Sequence, residues 1–410
     1  MINPENPEEL EQFEGMDDEA RATFVVRLQD QFTVSVALRL YAEGQAHEAA
    51  GLVAAPGLPQ AGDGCRVDLT QCALADWRFL GEVAGRGYLD EMVGGLRMLR
   101  SGSPPRDSLV ELCRNGFLLR QGKLRWVYRH DPTRNVNIVY AVCRRTHNPL
   151  KKIWRYFSQK KAVDLIERGQ IYLSRLDTLA ERDGGDRYEG TPTIPGVAGF
   201  TAALIASLGL AHPDFLQRYD HCRRATFVCC WHKAEHEALP MWLGYCREAP
   251  TEVSPPVPGG FALQTTERRL QHQFVKFHDE PRIQGQQFFL RDIDYVDHRT
   301  HEPPARFGEE VFLKANWFRD ERELRLGIQR LDCACAGSVV QIEEKLTALP
   351  RFVRLSVDLN AITETIVLNP GTSAANRAAI TGLVTELYPE LARRIRTSAL
   401  EVPPVAATLS

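Results

Sequence analysis

Two carboxylates and a guanidinium are spaced two residues apart in the stretch at 311–328, which reads V-F-L-K-A-N-W-F-R-D-E-R-E-L-R-L-G-I. The alternation predicts a strand that carries Glu321, Glu323 and Arg325 on one face and aliphatic side chains on the other. Opposite charges on one strand face can pair with each other, and they can also bind a ligand. The stretch therefore predicts either a binding site or an internal ion network.

Other polar residues extend this stretch into a candidate nucleotide site, whose members are Arg155, Glu189, Lys314, Glu321, Glu323 and Arg325. The guanidinium of Arg155 and the ammonium of Lys314 suit phosphate oxygens. Glu323 is the candidate for bonding a ribose hydroxyl and stabilising an oxocarbenium-like centre, as carboxylates do in glycosidic cleavage. The alternative is that Glu323 and Arg325 pair with each other and only hold a strand in place.

The order of these residue types is similar to that of ADP-ribosyltransferases. A basic residue lies on the first predicted strand of the C-terminal part, aromatic residues follow, and Glu-x-Glu comes late in the chain. The similarity implies NAD as a candidate cofactor and Glu321 with Glu323 as candidate catalytic residues. It concerns residue order and type only, so the reaction stays a hypothesis.

Aromatic residues form a second candidate cluster, which consists of Trp231, His232, Met241, Trp242 and Tyr245. They can line a stacking wall for a base or a nicotinamide ring, and Tyr156 on the first predicted strand is assigned to the same cofactor-binding role. His232 is a candidate donor or general acid near pH 7. The alternative is that these side chains pack a helix against the core.

Two further clusters contain residue types that can bind metal ions, but neither has a pattern that predicts a metal site. Cys229, Cys230, His232 and His236 do not have the spacing of a common zinc site, and neighbouring strand residues point to opposite faces. An acidic loop can hold a divalent ion for nuclease chemistry, with a solvated loop as the alternative; its carboxylates are Asp177, Asp183, Asp186 and Glu189. We therefore predict no metal site, and we rank a metal-dependent nuclease below the nucleotide hypothesis.

Composition narrows the functional class. The chain has 410 residues, a net charge of −3, 44% hydrophobic residues and 25% charged residues. This balance argues against a strongly electrostatic nucleic-acid binder, though a local basic patch remains compatible with it. No apolar run reaches the roughly 18 residues that cross a membrane, and the acidic N-terminus is unlike a secretory signal. We expect a cytoplasmic protein without membrane contact, whose ten cysteines are buried or free thiols.

The first 145 residues predict a mainly helical module that ends in a β-hairpin, with a role in regulation or in contact with a protein partner. The predicted helices cover residues 19–42, 47–54, 68–99 with a break near 81–87, and 106–115. The hairpin strands cover residues 123–128 and 137–143. Residues 144–152 form a basic connector.

Residues 153–400 predict an α+β domain, with a mixed or antiparallel sheet and flanking helices, because strands and helices alternate without a regular βαβ rhythm. A helical insertion is expected at 191–224, and residues 401–410 are expected to be a disordered tail.

Six short motifs in this second domain occur in the order of a bacterial family known only as a domain of unknown function, numbered twenty-nine seventy-one. The motifs are W-R-Y-F-S, D-R-Y-E-G, F-V-C-C-W-H with P-M-W-L-G-Y, F-A-L-Q-T-T, F-L-K-A-N-W-F-R-D-E-R-E-L-R, and I-V-L-N-P with R-T-S-A-L. The chain departs from the family pattern at Ala315, where arginine is usual, and at Ala238, where serine is usual. The resemblance implies an intracellular bacterial protein and no settled activity.

These observations predict an intracellular effector that acts on a nucleotide or a nucleic acid, with ADP-ribosyl transfer as the candidate reaction and a toxin or phage-defence system as the setting. The alternative is a non-catalytic nucleotide- or protein-binding module in which the Glu-x-Glu-x-Arg strand is structural. The two hypotheses differ on whether residues 321–325 meet a ligand or only each other.

Overall fold

The chain forms two compact units, Met1–Leu150 and Lys151–Ser410. The division falls inside the predicted connector at 144–152. The computed structural model describes residues 33–56, 64–82, 88–102, 104–105, 108–145, 148–180, 186, 189–190, 217, 220–246, 259–278, 286–298, 300–301, 308–330, 333 and 339–400. Within these residues, no helix combines the length and the apolar composition needed to span a membrane.

The N-terminal unit contains three described helices and six strands. In chain order these are α1 (Val34–Glu48), β1 (Leu52–Ala54), β2 (Arg66–Thr70), α2 (Gln71–Glu82), α3 (Leu89–Ser101), β3 (Leu109–Cys113), β4 (Gly116–Gln121), β5 (Leu124–Asp131) and β6 (Val136–Arg144). The strands form one sheet in the order β1-β2-β6-β5-β4-β3, in which only β2 and β6 are parallel.

Helices cover both faces of this sheet. Leu40 of α1 packs with Val127 and Ile138 on one face. Leu96 of α3 packs with Trp126 on the other face. The adjacent residues Trp126 and Val127 thus enter different cores, as the alternation of a strand requires.

The predicted hairpin is present as β5 and β6, but the unit holds more strand than the sequence suggested. Residues 106–115 were predicted as a helix, whereas Leu109–Cys113 is the strand β3, which pairs with β4. The predicted helix at 68–99 begins as β2 and then divides into α2 and α3. Residues 19–32 lie outside the described part. Short apolar runs are ambiguous in sequence, and pairing with neighbouring strands decides their conformation.

The C-terminal unit mixes helices and strands throughout. Its elements are β7 (Lys152–Phe157), α4 (Gln159–Arg168), β8 (Gln170–Arg175), α5 (Leu176–Ala180), β9 (Thr226–Lys233), α6 (Leu239–Tyr245), β10 (Phe261–Thr266), α7 (Glu267–His278), β11 (Gln287–Asp292), β12 (Asp294–Val296), a 3₁₀ helix (Glu309–Phe312), β13 (Leu313–Ala315), a second 3₁₀ helix (Asn316–Glu321), β14 (Glu323–Gln329), α8 (Val339–Ala348), β15 (Phe352–Ser356), α9 (Leu359–Ile362), β16 (Thr365–Leu368), α10 (Ala374–Leu387), α11 (Pro389–Ala392) and β17 (Ile395–Thr397). Most of the predicted insertion at 191–224 and the whole tail at 401–410 lie outside the described residues.

The large sheet of this unit has nine strands. The main path runs β11-β14-β9-β7-β10-β16-β17, and β8 joins β9 and carries β15. The pairs are antiparallel except for β16 with β17, and β12 with β13 form a separate parallel pair. The predicted α+β class is confirmed.

Local sequence explains the elements that frame the sheet. Gly169 ends α4 in the left-handed conformation and donates its N–H to the carbonyl of Leu165, as a helix C-terminal glycine does. Ser158 precedes α4 in the expected extended conformation, but its side chain makes no capping hydrogen bond. Pro240 lies in the first turn of α6, where its missing N–H costs nothing.

The strand register defines two faces of the sheet at its centre. Glu323 is paired with His232, and His232 is also paired with Trp154. These three residues therefore lie on one face, which we call the site face. Arg155 and Trp231, which are one residue away along their strands, lie on the opposite face.

Candidate functional site

Arg325 is the most buried member of the predicted set, with no exposed side-chain surface. Its Nε donates to Oε1 of Glu323 at 2.7 Å. Its two terminal nitrogens donate to a carboxylate oxygen of Glu189 and to the backbone carbonyl of Val311. All three guanidinium nitrogens are engaged inside the protein, so Arg325 holds β14 to the chain around it.

Lys314, on β13, joins the three carboxylates of the set. Its Nζ lies 2.5 Å from Oε2 of Glu321, 3.0 Å from Oε2 of Glu323 and 3.8 Å from Oε1 of Glu189. The ammonium also lies 5.0 Å from the centre of the Phe318 ring, within the range of a cation–π contact. We call Glu189, Lys314, Glu321, Glu323 and Arg325 the ion network.

The charges of the ion network do not balance when every member is ionised, because three carboxylates face two cations. Burial alone raises the pKa of Glu323, but Arg325 and Lys314 outweigh burial and hold that pKa well below its usual range. Burial raises the pKa of Glu189 in spite of the same two cations. Of these two buried carboxylates, Glu189 is therefore the one that takes up a proton more readily.

The pKa values of the two cations move upward. Burial alone lowers the pKa of Lys314, but Glu323, Glu189 and Glu321 raise it further than burial lowers it. Arg325 shows the same balance, with Glu323 as the strongest opposing charge. Both side chains therefore stay charged over the whole physiological pH range.

Glu321 is the member of the network that reaches the protein surface. Its side chain is 21% exposed, compared with 8% or less for the other four members. Its Oε1 accepts a hydrogen bond of 3.1 Å from the hydroxyl of Tyr245, a residue that is itself 41% exposed. Glu321 and Tyr245 thus form the open edge of the site.

Glu321 does not lie on the strand, although the alternation placed it there. It ends the second 3₁₀ helix, and β14 begins two residues later at Glu323. Arg322 between them has a φ of 40°, a left-handed conformation that non-glycine residues rarely adopt. This turn brings both carboxylates to Lys314 from different elements. Strained backbone of this kind is often found at functional sites.

His232 is buried next to the open edge and bonds the backbone of Glu321. The residue is 4% exposed, and Nδ1 lies 2.6 Å from the backbone carbonyl of Glu321. Burial lowers the pKa of His232, and the charge of Arg322 adds to this effect. The ring is therefore neutral near pH 7.

Tyr156 and Trp242, both predicted to bind a cofactor, lie inside an apolar cluster on the site face. Their rings meet edge to face at 4.9 Å. The Tyr156 hydroxyl accepts a hydrogen bond of 2.9 Å from the N–H of Ala238, and Nε1 of Trp242 donates to Glu237 at 2.9 Å. Their polar atoms are thus used within the protein, which favours the core-packing alternative for both side chains.

Arg155 does not join the other predicted site residues. It lies on the opposite face of the sheet, where its guanidinium donates to Sγ of Cys229 and, at 2.9 Å, to the carbonyl of Tyr172. The predicted set combined Arg155 with Lys314, but Lys314 contacts Glu323 on the site face, and the register places Arg155 on the opposite face. Trp231 accompanies Arg155, with its ring 5.9 Å from the guanidinium carbon.

The two departures from the family pattern occupy structural positions. Ala315 is fully buried, and its N–H donates to Asp186 at 2.7 Å. Glu237, beside Ala238, accepts hydrogen bonds from the Ser398 hydroxyl and the Ala399 N–H, and so binds the last described strand to the start of α6.

Sequence reasoning missed two residues that shape the site. The hydroxyl of Tyr295 accepts a hydrogen bond of 2.7 Å from the N–H of Glu323, and Phe318 covers Lys314. No sequence motif marks either residue as part of the site, and Tyr295 has the pattern of an ordinary strand residue. Asp183 of the acidic loop lies outside the described residues, and those that are described contain no group of three or more His, Cys, Asp or Glu that could hold a metal ion.

Comparison of the chain with family models, with characterised proteins and with solved structures gave no match in any of the three. The resemblance to the family of unknown function therefore remains a prediction from the motifs.

Proposed function

We propose that the C-terminal unit binds a ribose-containing nucleotide at the open edge formed by Glu321 and Tyr245, and that it transfers ADP-ribose from NAD. The observation that supports this proposal is the Glu321 carboxylate. It is held by Lys314 and Tyr245 at the surface of a buried ion network. A carboxylate in this position can bond a ribose hydroxyl and stabilise positive charge at the anomeric carbon.

The division of exposure within the network assigns roles to its members. Glu323 is paired with both cations and has only 3% exposed side-chain surface, so its role is to hold the network together. Glu321 has surface left for a ligand. The proposal therefore gives Glu321 the role that the sequence had suggested for Glu323.

Incubation with NAD labelled in the adenylate part tests the proposal. We expect the wild-type protein to form labelled product or to release nicotinamide. We expect Glu321→Gln to lose about 100-fold in rate, the size typical for removal of one electrostatic contact. Glu167→Gln, at an exposed position of α4, is the matched control. Absence of transfer and of NAD cleavage in the wild type would refute the reaction.

A non-catalytic binding module is the second candidate, and the burial of Glu323 and Arg325 favours it. Arg325 donates all of its guanidinium nitrogens to Glu323, Glu189 and the Val311 carbonyl, as a structural brace does. Thermal melting with a panel of nucleotides separates the two candidates. A ligand that binds the folded state raises the melting temperature, whereas a module without a nucleotide site shows no shift.

The cellular setting follows from the candidate reaction, and the family resemblance adds only that the protein is intracellular and bacterial. Within this proposal the protein is a cytoplasmic effector in a toxin or phage-defence system, and its N-terminal unit contacts a protein partner. A nucleic acid is the alternative substrate to a free nucleotide, and the label should then appear on added DNA or RNA.

A further inference from the structure

The hydrogen bond of His232 determines which ring nitrogen carries its proton. Nδ1 lies 2.6 Å from the carbonyl oxygen of Glu321. A carbonyl oxygen can only accept, so Nδ1 must be the donor. In the neutral ring the other nitrogen, Nε2, then bears a lone pair and acts as an acceptor.

The groups around the ring keep it neutral. The ring is almost fully buried, and the charge of Arg322 disfavours a second proton, while the Glu321 carboxylate and the bond from Nδ1 favour one. Glu323 is the strand partner of His232, but the Glu323 carboxylate is paired with Arg325 and Lys314. Tyr156 presents its ring edge at 6.4 Å between centroids.

Nε2 has no hydrogen-bond partner among the residues that the structure describes, and it is not sealed from solvent. A neutral acceptor that no protein group occupies, next to the residue that forms the open edge, suits a ligand group that brings its own proton.

We propose that Nε2 of His232 is the proton acceptor of the site and takes the proton of an O–H nucleophile, either water or a substrate hydroxyl. The inference rests on the proposed function, and it changes the sequence-based assignment of His232 from proton donor to proton acceptor. It also names the class of the second substrate, which must carry a hydroxyl.

The proposed step balances as follows. The O–H bond of the nucleophile breaks, and its proton moves to Nε2. The oxygen forms a bond to the anomeric carbon of the NAD ribose, while the bond from that carbon to the nicotinamide nitrogen breaks. Its electron pair leaves with the ring as neutral nicotinamide. The imidazolium formed is stabilised through Nδ1 by the Glu321 carbonyl and later releases its proton to solvent.

The tautomer can be tested without any substrate. Long-range proton–nitrogen NMR on ¹⁵N-labelled full-length protein distinguishes protonated from unprotonated ring nitrogens, and the spectrum of His232→Asn identifies the signals. We expect a protonated Nδ1 and an unprotonated Nε2 at pH 7, and acylation of Nε2 by diethyl pyrocarbonate. A charged ring or the opposite tautomer would overturn the inference.

Two substitutions separate catalysis from positioning. The amide nitrogen of His232→Asn can replace Nδ1 as donor to the Glu321 carbonyl, but this variant has no group at the position of Nε2. We expect it to keep the wild-type melting temperature and KM and to lose about 100-fold or more in kcat. The rise of kcat with pH that reports His232 should also disappear. His236→Asn, at an exposed neighbouring position, is the control.

The outcomes distinguish the inference from the proposed function. Full activity of His232→Asn would overturn the role of His232 as proton acceptor. The NMR and acylation results can hold while the wild type neither cleaves NAD nor transfers ADP-ribose from it. In that case the NAD reaction is refuted, and so is the role of His232 as acceptor of an O–H proton. Only the assignment of the tautomer then stands. Nicotinamide release without labelled product identifies water as the nucleophile, and labelled product identifies a substrate hydroxyl.

Discussion

At the scale of single residues, the ion network has a buried part and an exposed part. The buried part, which we call the brace, consists of Glu189, Lys314, Glu323 and Arg325, and the exposed edge is Glu321. A buried ion pair contributes little net stability compared with well-packed apolar residues, but removal of one partner leaves the other charge buried and unpaired. Arg325 has no exposed surface and Lys314 has 8%. The cost of a substitution in the network should therefore follow burial more closely than charge.

Glu323→Gln tests this expectation. The change leaves Arg325 and Lys314 with one negative partner fewer in a buried site, and we expect a loss of about 3 kcal/mol in the free energy of unfolding. Glu321→Gln should cost less than about 1 kcal/mol, because its side chain is partly solvated. Urea denaturation of both variants measures the difference, and equal losses would contradict the division into brace and edge.

Glu310 predicts a dependence of stability on pH. The residue is fully buried, its Oε2 accepts a hydrogen bond of 2.8 Å from the N–H of Gly308, and burial raises its pKa from 4.5 to about 7. A carboxyl whose pKa is raised by folding stabilises the native state while it is protonated. That contribution is full below pH 4.5 and is lost as the pH rises through 7.

We expect the wild-type protein to lose up to about 3 kcal/mol of stability between pH 4.5 and pH 8 from this group. Glu310→Gln should remove that part of the loss. Glu323 acts in the opposite direction, because its lowered pKa gives stability that is lost only as the pH falls below 4.5. Denaturation across this pH range checks both signs, and an unchanged pH profile in Glu310→Gln would refute the assignment.

At the scale of elements, sequence patterns predicted those that have a strong local signal. Ser158 and Gly169 flank a predicted helix at 159–168, and Pro370 follows a predicted strand at 365–368. The helix α4 (Gln159–Arg168) and the strand β16 (Thr365–Leu368) have these bounds. The strand β3 was predicted as a helix, because its conformation depends on pairing with β4. The left-handed Arg322 that separates Glu321 from β14 was also missed, since no residue type signals it.

Glycines in two helices give a matched test of packing. The helix α1 continues to Glu48, beyond the predicted end at residue 42, and an added Cβ at Gly44 would lie 2.3 Å from the Tyr140 ring. At Gly382 of α10 an added Cβ would meet nothing within 4 Å. We expect Gly382→Ala to stabilise the protein by about 1 kcal/mol through helix propensity. Gly44→Ala should instead destabilise it by about 1–3 kcal/mol through overpacking. Thermal melting of both variants measures the two changes in stability. Equal changes would show that Tyr140 moves aside freely.

At the scale of the whole molecule, the sequence predicted which residue types form the site better than it predicted which faces they occupy. Glu189, Lys314, Glu321, Glu323 and Arg325 do converge, although they lie up to 136 positions apart along the chain. Arg155 does not join the site, because it is one residue after Trp154 on the same strand and therefore points to the opposite face. Trp154 lies beside His232. One residue of register reverses every side chain of a strand, and the pairing of distant strands is not encoded locally.

The two units give a prediction for a truncated chain. The network and the apolar clusters on either side of it are formed within residues 151–410. A unit with its own core can fold alone. We expect a fragment of residues 151–410 to unfold cooperatively and to show the same loss with Glu323→Gln as the full chain. Circular dichroism during thermal and urea unfolding measures this. A fragment without a cooperative transition would show that the brace requires residues 1–150.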